Sequence, residues 1–272
     1  LQAKVPLRRD PGAWPRRQHA RKVLLLEGCV QPSMAPNTNS ATARVLDAAG
    51  IQSVLARGQG CCGAVKFHLA DADGGRAQMR ANIDAWWPHV SAGSVEAIVV
   101  NASGCGVMVK DYGHALKDDP VYADKAAQVA ALARDVCELL PELVSALAPR
   151  VKAVAGTLAW HAPCTLQHGQ KLGPNVEQQL RALGFDMRPA LQEPHLCCGS
   201  AGTYSVLQPE LSTRLRERKL GHLLGHASNA GQADRPVAVL SANIGCITHL
   251  QAGTDVPVRH WIELLDESLQ KE

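Results

Sequence analysis

The 272-residue sequence has few of the features that assign a chain to a class at first sight. No apolar run approaches the roughly 18 residues that a membrane-spanning helix needs, and the N-terminus has no apolar core of about 7–15 residues such as a secretory signal carries. Aromatic side chains are scarce, with three Tyr and two Phe, which argues against base stacking on nucleic acid. We therefore expect a cytoplasmic chain with reduced cysteines, no transmembrane segment and no nucleic-acid partner.

Charge is unevenly distributed along the chain. Residues 1–22 carry seven basic side chains and one acid, a net +6, which leaves −3 for the remainder of a chain whose formal charge is +3. Three prolines also lie in this segment. Residues 1–22 are therefore predicted to be a basic, proline-rich linker, with docking on an acidic partner as the alternative.

The cysteines form a repeat. Each half of the chain has one cysteine, then 31 or 32 residues, then an adjacent pair followed by glycine, and then a distant fourth cysteine. The two sets are Cys29, Cys61, Cys62 and Cys105 in the first half and Cys164, Cys197, Cys198 and Cys246 in the second. VVNASGCG at 99–106 also corresponds to VLSANIGC at 239–246. A period of about 135 residues indicates a duplicated unit.

Strands and helices alternate in each half. Short β-rich runs predict strands at 22–27, 51–56, 95–101, 157–160, 185–188 and 237–241. Helical periodicity is present over 37–49, 73–92, 105–116, 121–147, 173–183, 208–225 and 260–270. The pattern predicts an α/β fold of two pseudo-repeated units, 23–149 and 150–272. Each is expected to be a small, mostly parallel sheet flanked by helices, with the cysteines at strand ends and in loops.

Four thiols that a fold brings together in a reducing compartment can hold zinc, hold an iron–sulfur cluster or exchange disulfides. No C-x-x-C occurs in the sequence, which argues against a zinc site built from two short hooks. An adjacent pair such as Cys61 and Cys62 directs its sulfurs to different places, which suits a cluster because each sulfur can bind a separate iron. Gly63 and Gly199 leave room where the backbone passes the cluster. A cluster is favoured over zinc or a lost site, and dithiol chemistry comes third.

These motifs carry a family resemblance. The CCG pairs, with a first cysteine 31 or 32 residues earlier and a distant fourth, resemble the duplicated cysteine-rich (CCG) domain of the heterodisulfide reductases and their relatives. Within that family, the stretches GCCGAVKFHL, ASGCGVMVKDYG, HAPCTLQHGQKL and HLCCGSAGTYSVL are similar to the iron–sulfur subunits of bacterial glycolate oxidases. The similarity extends from about residue 22 to the C-terminus.

The resemblance implies that the two sets of cysteines are the ligands of up to two iron–sulfur clusters. In the family's fullest form each unit ends in C-x-x-C and offers five cysteines, whereas Ala102 and Asn243 stand three positions before Cys105 and Cys246 here. Each site therefore has at most four thiolates. Four thiolates fit a four-iron (4Fe-4S) cubane with one cysteine for each iron. The resemblance therefore does not extend to the non-cubane cluster of heterodisulfide reductase.

Histidines lie near the cysteines mainly in the second half. His161 and His195 are expected to hydrogen-bond to sulfur rather than to bind metal, because four cysteines already suffice. Only His68 is comparably placed in the first half, so we expect the second site to be the more polar of the two. Cys137 lies outside the repeat on an apolar stripe and is predicted to be a packing thiol.

The resemblance implies that the chain is an electron-transfer subunit. It would carry electrons away from a flavin-bearing partner that oxidises glycolate to glyoxylate, and it would have no catalytic residues of its own. Such a complex would be cytoplasmic, with contact at the inner face of the membrane through other subunits. Two alternatives stay open: a non-catalytic assembly domain with zinc-bound or empty thiol sites, and the equivalent subunit of a lactate or glycerol-3-phosphate dehydrogenase.

One domain that the resemblance implies is not in this sequence. Glycolate oxidase subunits of this kind begin with a ferredoxin-like domain that carries C-x2-C-x2-C-x3-C-P runs, and no such run is found here. We expect that residue 1 follows a truncation or that a separate chain supplies the ferredoxin-like part.

Overall fold

A computed structural model describes residues 10–172, 175–188, 190, 192–225 and 235–270. Its contacts divide the chain into two units, with the division between Leu139 and Leu140. Each unit is a four-stranded parallel sheet with helices, which confirms the predicted fold class. The sequence boundary expected at 149–150 lies one short helix further along the chain. No helix in the described ranges is both long enough and apolar enough to cross a membrane.

The sheet of the first unit has the strand order β2-β1-β3-β4. Its strands are β1 (Arg21–Leu26), β2 (Ile51–Val54), β3 (Ala97–Val100) and β4 (Ala133–Asp135). Leu24 of β1 pairs with Val54 on one side and Ile98 on the other. Every residue of β3 is buried, as expected for an inner strand of a parallel sheet that helices cover.

Helices accompany this sheet in the described part of the first unit. They are α1 (Gln31–Met34), α2 (Pro36–Ala48), α3 (Ala64–His68), α4 (Ala72–Ser91), α5 (Ser103–Lys110), α6 (Tyr112–Ala115) and α7 (Ala123–Leu132). Helix α4 begins at an N-cap, Asp71, whose carboxylate accepts a hydrogen bond of 3.0 Å from the Gly74 amide. The long α4 thereby starts close behind the loop that carries the first cysteine pair.

The second unit repeats this arrangement with the strand order β6-β5-β7-β8. Its strands are β5 (Leu158–Trp160), β6 (Met187–Arg188), β7 (Ala238–Ser241) and β8 (Val258–His260). Its helices are α8 (Leu140–Leu147), α9 (Asn175–Ala182), α10 (Tyr204–Leu207), α11 (Pro209–Leu224), α12 (Ile244–Gln251) and α13 (Trp261–Ser268). In both units the strand order reverses between the first and third strands, which is where open parallel sheets bind ligands.

Two strands were not predicted from the sequence. The helix predicted over 121–147 is present as two helices rather than one, because the chain leaves the helical conformation at Ala133, forms β4 beside β3, and re-enters an α-helix at Leu140. The Asp135 amide donates a hydrogen bond of 2.7 Å to the Glu138 carboxylate at this break. Strands β4 and β8 were both missed because three residues are too few to show the alternation of a strand.

The described part of the predicted linker contacts the first unit. Arg17 Nε lies 3.1 Å from one carboxylate oxygen of Asp47, and His19 Nε2 lies 2.8 Å from the other. Arg21 and Lys22, at the end of the predicted linker, already belong to β1. Residues 1–9 of the predicted linker lie outside the described residues.

Trp86 is the largest side chain in the core of the first unit and is fully buried. Its ring stacks on Tyr112 with 6.4 Å between centroids, and its Nε1 donates a hydrogen bond of 2.9 Å to Gln59. Its neighbour Trp87 is only half-buried and lies under the Lys125 ammonium, 5.3 Å from the ring centroid. Trp86 therefore belongs to the hydrophobic core, whereas Trp87 contacts a charged side chain near the surface.

We predict that Trp86→Ala lowers the free energy of unfolding by about 3–5 kcal/mol, because it opens a cavity between α4 and α6 and removes a ring stack. Trp87→Ala, the matched control, should cost less than about half of that. Urea unfolding followed by circular dichroism measures both. Equal losses for the two variants would contradict this account of the core.

Candidate metal centres

The carboxyl ends of the inner strands carry the first set of cysteines. Cys29 follows β1 by three residues, and Cys105 lies in the first turn of α5, which follows β3. Cys61 and Cys62 lie in the loop between β2 and α3. Because parallel strands end at the same edge of a sheet, these three segments meet there.

The four thiols of the first unit form an unbroken row of contacts, here called the first quartet. Cys29 is within hydrogen-bonding reach of Cys61, Cys61 of Cys62, and Cys62 of Cys105. Cys62 is 3% exposed, whereas Cys29 is exposed at the rim. The row therefore begins at the surface with Cys29, is most deeply buried at Cys62, and ends at the half-buried Cys105.

The second unit forms the same row, here called the second quartet. Cys164 is within reach of Cys197, Cys197 of Cys198, and Cys198 of Cys246. Cys198 and Cys246 are 2% and 5% exposed, and Cys164 and Cys197 are half-buried. All eight cysteines that the sequence singled out are thus brought together in two groups of four.

A glycine after each cysteine pair makes this packing possible. Gly63 and Gly199 have φ angles of +91° and +92°, in the left-handed region that side chains disfavour. A Cβ atom on Gly63 would lie 2.8 Å from the carbonyl oxygen of Gly75, and one on Gly199 would lie closer still to that of Ser212. Helix α4 in the first unit and α11 in the second can approach the cysteine pair only because both glycines lack a side chain.

Crowding and burial raise the pKa values of three thiols of the first quartet, Cys29, Cys61 and Cys62. The hydrogen bond with the Cys105 thiol is the largest of the effects that raise the pKa of Cys62 to about 12. The pKa of Cys61 is raised by its contact with Cys62, and that of Cys29 by burial. Four thiolates at this spacing repel one another, so they become favourable together only around a cation, such as the irons of a cluster or a zinc ion.

The second quartet has a side-chain amide, that of Asn243, among its hydrogen-bond donors. The Cys164 and Cys198 thiols hold the pKa of Cys197 well below its usual range, and the Gly199 amide donates to Cys197 Sγ at 3.3 Å. The Cys198 thiol likewise lowers the pKa of Cys246, with help from the Asn243 side-chain amide, whose Nδ2 lies 3.5 Å from Cys246 Sγ. Asn243 occupies the position where the family's fullest form has a fifth cysteine.

Two polar side chains brace the first cysteine pair. Asn82 of α4 donates to the Cys61 carbonyl at 2.8 Å and to Tyr112 Oη at 3.0 Å, and it accepts from the Gly60 amide at 2.8 Å. Tyr112 Oη in turn donates to the Cys62 carbonyl at 2.9 Å. Neither residue was predicted from the sequence. The one available signal was a polar residue, Asn82, on an otherwise apolar face of a helix.

Histidines contribute unequally to the second site. His161 is buried, with a ring nitrogen within 4.8 Å of the Cys198 and Cys246 sulfurs, and its Nδ1 lies 2.9 Å from Ser241 Oγ. Burial lowers the pKa of His161 to about 3, so the ring is neutral. His195 is exposed, and among the described residues its ring forms no hydrogen bond.

Cys137 lies apart from both quartets. It is 1% exposed in a short 3-10 turn, and its amide donates to the Asp135 carboxylate at 3.0 Å. The predicted packing role agrees with this burial, although the residue lies on a short 3-10 helix rather than on the longer α-helix that the sequence suggested.

The loop that carries the first pair contains the glycine spacing of a dinucleotide-binding site, G-x-G-x-x-G, at Gly58, Gly60 and Gly63. In such sites the glycines join a strand directly to a long helix whose N-terminus faces the pyrophosphate. Here the helix that follows, α3, has only five residues, and the two residues between the last glycines are Cys61 and Cys62. The glycines are therefore assigned to the thiol site.

A comparison with family models agrees with the repeated geometry. The model of the cysteine-rich domain, CCG, matches residues 23–110 and again residues 158–251. This chain belongs to the cysteine-rich domain family. The family resemblance inferred from the CCG motifs is thereby confirmed, and each match includes one complete quartet of this cysteine-rich domain protein.

Individual relatives are also informative. Over 94% of its length the chain is 50% identical to the glycolate oxidase iron-sulfur subunit of Escherichia coli, and over 86% it is 27% identical to the probable glycolate oxidase iron-sulfur subunit of Bacillus subtilis. It spans only 60% and 50% of the lengths of those two proteins. Lactate utilization protein A of an Exiguobacterium strain is 26% identical over 92% of this chain and is spanned over 98% of its length.

We predict that Gly63→Ala disturbs the first quartet, because the added methyl group meets the Gly75 carbonyl and the backbone is strained at positive φ. Gly50→Ala is the matched control: Gly50 also has a positive φ, +79°, but an added Cβ would meet no atom within 4 Å. In urea unfolding, Gly63→Ala should cost about 1–3 kcal/mol more than Gly50→Ala. Equal stability of the two variants would show that the close approach of α4 is unimportant.

Proposed function

We propose that this chain is the electron-transfer part of a glycolate oxidase complex and that each quartet holds one iron–sulfur cluster, most simply a four-iron cubane. The observation that carries the proposal is the row of four thiols, formed twice, with the same order of contacts. In each row the two adjacent cysteines of the pair direct their sulfurs to different places. Such a row suits a group that contains several metal ions. The ligand set would be all eight cysteines of the two quartets.

The residues around each quartet fit a cluster in three respects. The donors are soft thiols, one for each iron of a cubane. Gly63 and Gly199 allow the backbone to pass close by, and the amides that follow the pair donate to sulfur, as Gly199 does to Cys197. When bound, such a cluster accepts and releases single electrons. The protein's own part is to bury the inner cysteines and to leave Cys29 and Cys61 near the surface, where a partner can approach.

The partner and substrate belong to the same proposal. The relative with 50% identity is a subunit of glycolate oxidase, and a flavin-bearing subunit is the simplest source of electrons from a 2-hydroxy acid. We propose no catalytic residue in this chain, which acts only within the complex. A ferredoxin-like domain, in the same protein or in another chain, would continue the electron path. The free thiols of this site favour a cytoplasmic location, with contact at the membrane through other subunits.

Two alternatives each have one observation in their favour. The buried group of His161, Cys198 and Cys246, with ligand atoms within 4.8 Å of one another, also suits zinc, as expected of an assembly domain. The full-length match to lactate utilization protein A favours an equivalent subunit that serves lactate. Iron analysis tests the first alternative, and substrate choice tests the second.

We predict that Cys198→Ala removes one cluster from the anaerobically purified protein. Iron should fall from about eight to about four per chain, with a matching loss of sulfide and of visible absorption. Cys137→Ala is the control, because it deletes a buried thiol outside both quartets. Unchanged iron in the Cys198 variant would defeat the ligand assignment, and zinc in place of iron in the parent protein would establish the assembly-domain alternative.

A second prediction concerns the substrate. In the assembled complex with its flavin-bearing partners, glycolate should bleach the visible absorption of the clusters, whereas lactate and glycerol 3-phosphate should do so at least about tenfold more slowly. The chain alone should show no bleaching with any of the three, because the flavin that removes electrons from a hydroxy acid belongs to the partner. Faster bleaching by lactate would reassign the complex to lactate oxidation.

A further inference from the structure

The repeat allows the two sites to be compared position by position. Gly63 packs against the carbonyl of Gly75 on α4, and Gly199 packs against the carbonyl of Ser212 on α11. Seven residues further along, α4 has Asn82 and α11 has Lys219, and both are fully buried. A neutral amide in the first unit thus corresponds to a cationic side chain in the second.

Lys219 is held by main-chain oxygens. Its Nζ donates to the carbonyls of Pro194 at 2.9 Å and Glu193 at 3.2 Å, in the segment that leads to Cys197. The Glu193 carboxylate is turned instead toward Arg218 and His222, with 2.6 Å from Arg218 Nε and 2.8 Å from His222 Nε2. Among the described residues, no carboxylate lies within 4.0 Å of the Lys219 ammonium.

The cysteines of the second quartet would supply the negative charge beside this ammonium when they bind a cluster as thiolates. Burial lowers the pKa of Lys219, and attraction to Cys198 and Cys197 is the largest of the effects that oppose it, followed by attraction to Glu193 and Cys246. The positive charge of Lys219 in turn helps to lower the pKa of Cys246 and the pKa of His161. A buried ammonium is stable only beside a compensating anion, and four metal-bound thiolates provide one.

The first quartet has no such neighbour among the described residues. The pKa shifts of Cys29, Cys61 and Cys62 come from burial, from neighbouring thiols and from main-chain amides. Asn82 is neutral and adds no charge at this site. Its hydrogen bonds go to Gly60, Cys61 and Tyr112. Lys66, which follows the first pair on α3, is half-exposed and lies 3.3 Å from the Asp71 carboxylate, so solvent and its partner screen it.

We infer that Lys219 makes the second quartet the higher-potential of two unequal electron sites, so that an electron entering this chain comes to rest on the second cluster rather than the first. The inference rests on the proposed function, since it requires a cluster in each quartet. Reduction adds one negative charge to a cluster, and a buried cation stabilises that charge more strongly than it could in water. Asn243, which donates to Cys246 Sγ, acts in the same direction.

The order of the two potentials is measurable without altering Lys219. In Cys198→Ala the first cluster remains, and in Cys62→Ala the second remains. Redox titration of each anaerobically purified chain, followed by electron paramagnetic resonance, should give the higher midpoint for the Cys62→Ala chain. A higher midpoint for the Cys198→Ala chain would overturn the inference.

The part played by Lys219 is tested by Lys219→Gln, which removes the charge and retains a side-chain amide donor for the Pro194 carbonyl. The reduction equilibrium of the second cluster should shift at least tenfold toward the oxidised form, which is about 59 mV for one electron, while the first cluster is unchanged. Arg214→Gln is the matched control, since Arg214 is an exposed cation on the same helix. Midpoints that are unmoved in Lys219→Gln, with full iron content, would remove Lys219 from the explanation.

The two proposals fail in different ways. If the parent chain binds no iron, the proposed function fails and no potential can be measured. If both clusters form and their midpoints are equal or reversed, only the inference about Lys219 fails. Should Lys219→Gln lose iron from the second quartet, the order found in the two cysteine variants still decides the matter.

Discussion

Repulsion among four crowded thiolates is the constraint on which each unit depends. The structure brings each quartet so close that neighbouring thiols share hydrogen bonds, and this raises the pKa of Cys61 and Cys62 far above that of a free thiol. Such an arrangement is costly unless a cation offsets the charge. The parallel sheet, the left-handed glycine and the braced cysteine pair are all means of holding the sulfurs together until that cation is present.

The sheet positions the loops that carry the cysteines, and the glycine after each pair allows a helix to pack closely against it. Strand order reverses between β1 and β3, and again between β5 and β7, so the loops that follow these strands diverge and leave space at the edge. The cysteine pair enters that space from a neighbouring loop. It can turn there only because Gly63 and Gly199 adopt positive φ angles beneath α4 and α11. Local backbone geometry and the tertiary position of one helix are therefore inseparable at each site.

Duplication has preserved the ligands and altered their surroundings. Leu26, at the end of β1, corresponds to His161, which follows β5, since each lies three residues before the first cysteine of its set. In the same way Ala102 corresponds to Asn243, and Asn82 corresponds to Lys219. At each of these positions the second unit has the more polar or more positive side chain. This agrees with the expectation from the sequence that the second site is the more polar, although the sequence pointed to the histidines and the structure points to Lys219.

The sequence by itself determined the duplication, the α/β class, the strands that precede the cysteines and the membership of each quartet, because spacing and repeat are properties of the chain alone. It did not reveal β4 or β8, since three-residue strands exist only by pairing with a neighbour. Nor did it reveal the roles of Asn82, Tyr112 and Lys219. Asn82 and Lys219 lie 20 and 21 residues after the cysteine pair of their unit, and Tyr112 lies 50 residues after it. Only tertiary packing decided those contacts, because a buried polar side chain acquires its role from the groups that surround it after folding.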